Sequence, residues 1–430
     1  MVEAKHMPTD AIDSVSSLGK VARDLATQVR GREAEVVGRY GGALGTDETK
    51  RYLRTRSKAV ERVVSLGAVL DHSDNCLYYG ALSPGCELCR RGSWDCVYVT
   101  HACTRSCFFC AQSRTSATPL PNVGGEHFTA PAGLVAHERR RGNDGCALSG
   151  GDPLCRPDDS LAMIEAMRSS FGPSFRIWLY TNGDLLTPDL LTRLKDAGLD
   201  ELRFNIAGKG YDVKALELAR DIIDRIAVEI PMIPEDEERL RRMLPVFKDV
   251  GVDHINLHEL VYTPDNVEQL SERGYLCMTG ASPMDRYVEN RPVLGSELTA
   301  LRLLEHNIRS GIRLPINICT YCYKVNVQIP ALRRRDSRLV VRPHERVGYD
   351  GMCETLLVKG PPPLLTKVES FLLGRGVARD ALRRQRDRLY VHPRHARDVK
   401  ELEGLPGVES GLLRTQPTQG PERNDVELRL

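Results

Sequence analysis

Cys103, Cys107 and Cys110 stand on one short stretch, Cys103-Thr-Arg-Ser-Cys107-Phe-Phe-Cys110, separated by three and two residues with an aromatic before the last. Thiolates this close in sequence can share one metal centre. Three of them can hold three irons of a cubane [4Fe–4S] cluster and leave the fourth iron open to a small molecule that receives an electron there. They can equally be part of a zinc site, with Cys96 or His101 nearby as a fourth ligand. The chain has thirteen cysteines, and seven of them fall between Cys76 and Cys110. The opening residues, Met1-Val-Glu-Ala-Lys-His, form no apolar signal or anchor. A reducing, cytoplasmic setting is therefore expected, in which thiolates bind metals rather than cross-link.

A loop of this kind needs a rigid scaffold, and the surrounding pattern supplies one. The cysteines directly follow a strand-like stretch, 95–101. From there short apolar runs (96–100, 145–148, 175–180, 201–206, 226–230, 254–257 and 314–318) alternate with amphipathic helical stretches. One helix is well marked, with Thr187 as cap, Pro188 at its first position, Leu190, Leu191 and Leu194 on one face, and Gly198 to end it. Another follows Pro234, places Asp236, Glu237 and Glu238 at the positive end of its dipole, and ends at Gly251. Such alternation predicts an α/β fold with a parallel sheet, here a partial (β/α)6 TIM-like barrel over 95–330. A helical N-terminal extension (1–70) carries Val15, Leu18, Val21, Leu25 and Val29 on one face, and a second helix spans 47–70. A Cys-rich segment follows (71–94). After the barrel come a linker and a small C-terminal α/β subdomain (331–430), with Pro361-Pro362-Pro363 as a stiff break.

Ligands of parallel barrels bind at the C-terminal ends of the strands. Ser149-Gly150-Gly151-Asp152-Pro153 ends the second strand, Tyr180-Thr181-Asn182-Gly183 the third, and Asn205 the fourth. Together with the cysteine spacing and the Phe109-Cys110 ending, these segments resemble the radical S-adenosylmethionine (radical SAM) superfamily. The resemblance implies a [4Fe–4S] cluster on Cys103, Cys107 and Cys110, with S-adenosylmethionine on the open iron. Reductive cleavage would give a 5′-deoxyadenosyl radical that abstracts hydrogen from an organic or peptidyl substrate. It implies cofactor contacts from Phe109, Gly150, Gly151 and Asp152, the last an acid that receives the α-ammonium group in place of the commoner glutamate. It also implies that Thr181, Asn182 and Asn205 meet the carboxylate or ribose. A one-electron reductant such as flavodoxin or ferredoxin would be the partner.

Further candidates lie deeper. Arg203 and Asn205 alternate on one strand, Glu229 interrupts an apolar one, and His254, Asn256 and His258 share a face of the sixth. Charged and polar groups inside a barrel need partners, so Arg203, Glu229 and His258 are expected to act on substrate or on one another, and His258 can move a proton near neutral pH. Cys86-Glu-Leu-Cys89 and Cys319-Thr-Tyr-Cys322 could close a second metal site, zinc or an auxiliary iron–sulfur cluster, with Cys76, Cys96 and Cys353 in reserve. The texture Gly85-Cys86, Cys89, Ser149-Gly-Gly-Asp-Pro-Leu154, Glu229-Ile-Pro and Cys319 followed by Lys324 further resembles a mostly archaeal radical SAM group related to glycyl-radical (pyruvate formate-lyase) activating enzymes.

The net charge of +2 on 430 residues gives no global pull toward nucleic acid or membrane, and no run is long and apolar enough to span a bilayer. A second reading remains, a metal-stapled nucleic-acid-binding or RNA-modifying protein. Its support is two basic runs, 333–346 and 383–397, which carry few aromatics for base stacking.

Overall fold

The computed structural model describes residues 46–71, 76–112, 120–277, 290–402, 405–417 and 425–429; the helix expected over 15–29 lies outside them. The described residues form two compact units that divide between Ile329 and Pro330.

In the first unit seven strands run parallel in chain order: β3 (Trp94–Thr100), β6 (Gly145–Gly150), β7 (Arg176–Thr181), β8 (Glu201–Phe204), β9 (Arg225–Met232), β10 (His254–Glu259) and β13 (Ile316–Cys319). Each lies beside its predecessor, so the sheet is wound in one direction. Helices α3 (Pro131–Arg141), α4 (Pro157–Phe171), α5 (Pro188–Ala197), α6 (Lys214–Arg220), α7 (Glu237–Val250) and α9 (Ser296–Arg309) make the six crossings. These are the six β/α units the alternation predicts, with a seventh strand after them. The arc stays open among the described strands. At one end β13 pairs antiparallel with β2 (Cys76–Tyr79) and β2 with β1 (Val69–Asp71); at the other β3 pairs with β4 (Asn122–Val123) and β4 with β5 (Glu126–His127).

The strands alternate strictly. Val97, Leu148, Leu179, Leu202, Val228, Ile255 and Ile316 are fully buried in the main apolar core, while Tyr180, Arg203, Glu229, Asn256 and Asn317 occupy the other parity and bond with one another. The period of two thus separates a greasy face from a polar interior. Thr187 Oγ1 accepts the Leu190 N–H at 3.1 Å at the start of α5, and Gly198 ends it with φ 101°. Helix α7 ends at Gly251 (φ 81°) and tolerates Pro245 in its interior.

Helix α1 (Thr46–Ser65) buries Tyr52, Ala59 and Val63, and Arg56 Nε pairs with Glu297 Oε2 of α9 at 2.7 Å. The helix stops earlier than 70: Gly67 takes φ 99° and Val69–Asp71 leaves as a strand. Helix α2 (Pro84–Arg91) is capped by Ser83 and lies across the inside of the arc, for Gly85 abuts Arg203 and Trp178 while Leu88 abuts Gly145. The stretch after β10 holds β11 (Val261–Tyr262), α8 (Val267–Glu272) and β12 (Arg291–Pro292). After β13 a helical turn, Tyr321–Tyr323, runs into a π-helix, Lys324–Gln328, and on into α10 (Ile329–Val340).

The second unit is an antiparallel sheet in the order β16 (Leu382–Gln385), β17 (Arg388–Val391), β15 (Cys353–Lys359), β18 (Glu409–Thr415), β19 (Asp425–Arg429), with β14 (Arg346–Val347) beside β15. Helices α11 (Pro362–Gly374) and α12 (Ala396–Lys400) complete it around Leu356, Val358, Leu365, Leu372 and Val391. The three prolines are no break: Pro361 is the cap of α11 and Pro362 its first residue, where a missing N–H costs nothing. Of the basic runs, Arg333–Arg335 lie on α10 and Arg383 and Arg384 on β16. Among the described residues no helix is long and apolar enough to cross a membrane.

Candidate active site

The cysteine loop leaves β3 at Thr100 and is fastened to three neighbouring strand ends. Gly151 N–H donates to Thr100 O and Asp152 N–H to Ala102 O, both at 2.7 Å. A Cβ on Gly150 would stand 2.2 Å from Thr100 O, and one on Gly151 2.1 Å from Ala102 O. The paired glycines therefore let the end of β6 touch the backbone of the cysteine loop; Gly150 also has φ 117°. The close approach these glycines allow is made here by the backbone of the cysteine loop.

Asp152 is 1 % exposed. Its carboxylate accepts the Thr181 hydroxyl (2.9 Å), the Asn182 N–H (2.9 Å) and the Leu154 N–H (3.0 Å). Burial still pushes the carboxyl above its ordinary range against those bonds. Asp152 and Thr181 thus tie the ends of β6 and β7 together. Asn182 Nδ2 donates to Thr104 Oγ1 at 2.9 Å and reaches Cys103 Sγ at 3.7 Å, while Arg105 N–H points to the same sulfur at 3.4 Å. Hydrogen bonds to cluster sulfurs tune a cluster's potential. Asp184, which sequence reasoning passed over, gathers Arg105, Thr104 and Lys209 (3.2 Å), and the Arg105 hydrogen bond holds its carboxyl down at about 2.

At the end of β8, a Cβ on Gly208 would lie 2.3 Å from Cys107 Sγ. Directly after the strand's last residue, Phe204, Asn205 Oδ1 is buried with no hydrogen-bond partner. An unmatched buried acceptor beside a thiol loop is what a bound donor would relieve. The far side of the loop is held by Asn266, whose Nδ2 donates to Phe109 O at 3.3 Å, and Phe108 and Phe109 pack on the apolar cluster of Leu260, Tyr262 and Leu270. None of the thirteen cysteines is in a disulfide. The donor set therefore fits a metal cluster: three thiols on one loop at the C-terminal rim of a parallel barrel.

Below the rim the polar interior is one connected lattice. Arg203, 3 % exposed, donates to Glu201 Oε1 (2.7 Å), Glu229 Oε2 (2.9 Å), Tyr180 OH (3.3 Å) and Ser83 Oγ (2.9 Å), with Trp178 under its guanidinium. Burial penalises an ionised Glu229, but His258 and Arg203 more than offset this and hold its carboxyl well below the usual range. Glu229 Oε1 lies 2.8 Å from His258 Nε2, and Lys324 Nζ lies 3.0 Å from His258 Nδ1. Burial and then the Lys324 ammonium push the imidazole below its ordinary range. Arg203 and Glu229 are thus engaged by the protein, and the lattice opens upward at His258 and Lys324.

The second set of cysteines is only partly brought together. Cys86 and Cys89 on α2 and Cys319 at the end of β13 lie near enough to influence one another electrostatically, and burial pushes the Cys319 thiol up to about 12. Cys86 Sγ is 3.8 Å from His254 Nε2, and Tyr323 OH is 3.8 Å from Cys89 Sγ. Cys322 is exposed and turns instead toward Asn326 and Arg56, so the four do not converge. Among the described residues the one group of three ligand atoms within 4.8 Å of one another is Asp95, His137 and Glu138. There His137 sits between Asp95 (3.2 Å) and Glu126 (2.9 Å), which outweigh burial and raise its pKa. Arg141 also pairs with Asp95 at 3.1 Å and Asn143 Nδ2 donates to it at 2.7 Å, so these groups brace one another.

Residues 97–212 match the family model described as Radical SAM superfamily. That span runs from the strand before the cysteine loop to just past Gly208. A Methanocaldococcus jannaschii protein provisionally named a glycyl-radical enzyme activating enzyme is 25 % identical over 285 residues, 64 % of this chain and 72 % of that one. The AdoMet-dependent heme synthase of Methanosarcina barkeri is 33 % identical over 119 residues, 27 % of this chain and 30 % of that one. The crystal structure of Streptococcus suis SuiB superposes with a TM-score of 0.37 at 11 % identity, covering 61 % of this chain and 53 % of that one; at that score it adds nothing to the strand order. The match spans the loop that carries the three thiols and the strand ends that hold it, so residues 97–212 form a radical SAM domain.

Proposed function

We propose that this enzyme holds a [4Fe–4S] cluster on Cys103, Cys107 and Cys110 and works on an organic or peptidyl substrate admitted to the top of the barrel. When bound, the cluster supplies one-electron cleavage of S-adenosylmethionine to a 5′-deoxyadenosyl radical, which abstracts a hydrogen atom from the substrate. The observation that carries this reading is the placement of three thiols on one rim loop, fastened to the ends of β6, β7 and β8. Asn205 Oδ1 is the proposed acceptor for a cofactor hydroxyl or ammonium group, because it is a buried acceptor directly after β8 with no hydrogen-bond partner among the described residues. Asp152, Thr181, Asn182 and Asp184 position the loop. Phe109 holds its far side through the apolar cluster, while Arg203 and Glu229 fix His258 beneath the substrate. An electron must enter from outside the chain, and a flavodoxin or ferredoxin is the proposed donor. Activation of a glycyl-radical enzyme, the role named for the archaeal relative, is one substrate option within this reading.

We also propose Cys86, Cys89 and Cys319 as ligands of a second metal centre, without Cys322. The test of the main reading is EPR on anaerobically reconstituted protein. A reduced [4Fe–4S] signal that shifts on adding S-adenosylmethionine supports it; a signal indifferent to the cofactor, or 5′-deoxyadenosine formation that survives Ala substitution of all three rim cysteines, sinks it.

A further inference from the structure

The polar groups inside the barrel do not have equal spare capacity. Arg203 donates to two carboxylates and two hydroxyls, and Glu229 accepts from Arg203 and His258. Asn256 Oδ1 accepts from Asn317. Lys324 differs: its one hydrogen-bond partner among the described residues is a ring nitrogen, and none of their carboxylates lies within ion-pair distance of it. That partner is neutral. His258 Nε2 lies 2.8 Å from Glu229 Oε1 and 2.9 Å from Asn256 Nδ2, and its Nδ1 lies 3.0 Å from the Lys324 ammonium; with the proton on Nε2 toward the carboxylate the Nδ1 lone pair accepts from Lys324, whereas the opposite tautomer would set two donors face to face at Lys324 and cost Glu229 this donor. Lysine has three N–H donors, so this arrangement accounts for one of them.

The backbone aims this cation deliberately. Lys324 opens the π-helix Lys324–Gln328, a conformation rare in proteins and frequent at functional sites. Lys324 is half-buried, and the His258 side chain below it is 27 % exposed, so the pair reaches the mouth of the barrel. It sits on the β10–β13 side, beyond the strand ends that the cysteine loop touches.

We propose that Lys324, backed by His258, is a specificity determinant that receives an anionic group of the substrate, a carboxylate or a phosphate. This deepens the proposed function and rests on it. A half-desolvated ammonium attracts an oxyanion more strongly than a surface lysine does, because the low local dielectric screens less. The neutral imidazole does not compete for it.

The test uses the full-length, reconstituted protein with S-adenosylmethionine bound, titrated by calorimetry with inorganic phosphate, pyrophosphate, succinate and citrate at fixed ionic strength. Saturable binding by the phosphates or by the carboxylates is expected, and the tighter class names the substrate's anion. Lys324→Met should weaken it at least tenfold, Lys324→Arg less than threefold, and Lys248→Met, which removes an exposed charge elsewhere, not at all. Should Lys324→Met fail to fold, Lys324→Gln removes the charge while keeping a donor to His258. Absence of saturable binding in the wild type, or equal binding after charge removal, overturns the proposal. So does a parallel loss of S-adenosylmethionine binding, which would assign Lys324 to the cofactor. 5′-Deoxyadenosine formation on the same samples separates the two failures. If it is absent while anion binding holds, the radical reading falls and the anion site stands.

Discussion

The sharpest consequences at the scale of single residues come from atoms that have no room. Gly151 has an ordinary φ, but its missing Cβ leaves the space for Ala102 O. Gly151→Ala should therefore push the cysteine loop off the end of β6, costing about 1–3 kcal/mol of stability and most of the iron. Full iron content in a folded variant would show the contact to be slack. Asn205→Ala is the complementary case: iron content should stay intact, while S-adenosylmethionine binds up to about tenfold more weakly, the worth of one hydrogen bond. Unchanged cofactor affinity would remove Asn205 from the site. The cysteines and glycines were legible because their types and spacing are rare. The second task of Asp152, tying the loop to β7 through three bonds to the chain, had no such signal, because an acid after Gly-Gly reads only as a ligand contact. Asp184 carried a fainter signal, a charged residue right after Asn182-Gly183 at a strand's C-terminal end.

At the scale of elements, alternation of apolar and polar residues made the strands readable, and caps such as Thr187 made the helices so. Helix α2 was missed as a structural part because Pro84-Gly85-Cys86 reads as a turn before a metal ligand; its glycine is what lets it lie against Arg203. That buried arginine couples β7, β8, β9 and α2. Arg203→Met should destabilise by about 3–5 kcal/mol, because Glu201 and Glu229 lose their buried counter-charge. The sign with pH follows from Glu229, whose depressed carboxyl adds stability above its unfolded value and loses it as pH falls. The variant's carboxyls take up protons sooner, so its deficit should shrink from pH 8 to pH 5 in denaturant titrations; a pH-independent deficit would place the effect in packing alone. Glu259 on β10 shows the opposite sign. Burial, then Glu297, push its carboxyl up to about 8, so the folded chain holds a proton that the unfolded chain releases, and stability falls as pH rises toward that value. Glu259→Gln can still accept the Tyr321 N–H. It should raise Tm at pH 8 and leave it unchanged near pH 4.5. An equal gain at both would refute the buried neutral acid.

On the scale of the whole molecule, the chain must close an open arc whose ends are far apart in sequence. Helix α2 precedes the first barrel strand and β13 is the last, yet Cys86, Cys89 and Cys319 come near enough to influence one another electrostatically, with His254 beside Cys86 and Tyr323 beside Cys89. This proximity was legible only as two Cys-x-x-Cys pairs; spacing alone could not show that Cys322 turns away. Zinc bound by thiolates at about 2.3 Å would draw the sulfurs to roughly 3.8 Å of one another. No three ligand atoms in this group lie within 4.8 Å of one another, and we propose the larger body of an iron–sulfur cluster for it. Reconstituted protein should accordingly carry about eight irons and no stoichiometric zinc. Cys89→Ser should lower the count toward four, reduce Tm by loosening α2 from β13, and leave the rim cluster's EPR response to S-adenosylmethionine unchanged. Four irons in the wild type would make these thiols packing residues, and a lost EPR response in Cys89→Ser would mean that the two ends of the barrel are electronically or structurally one site.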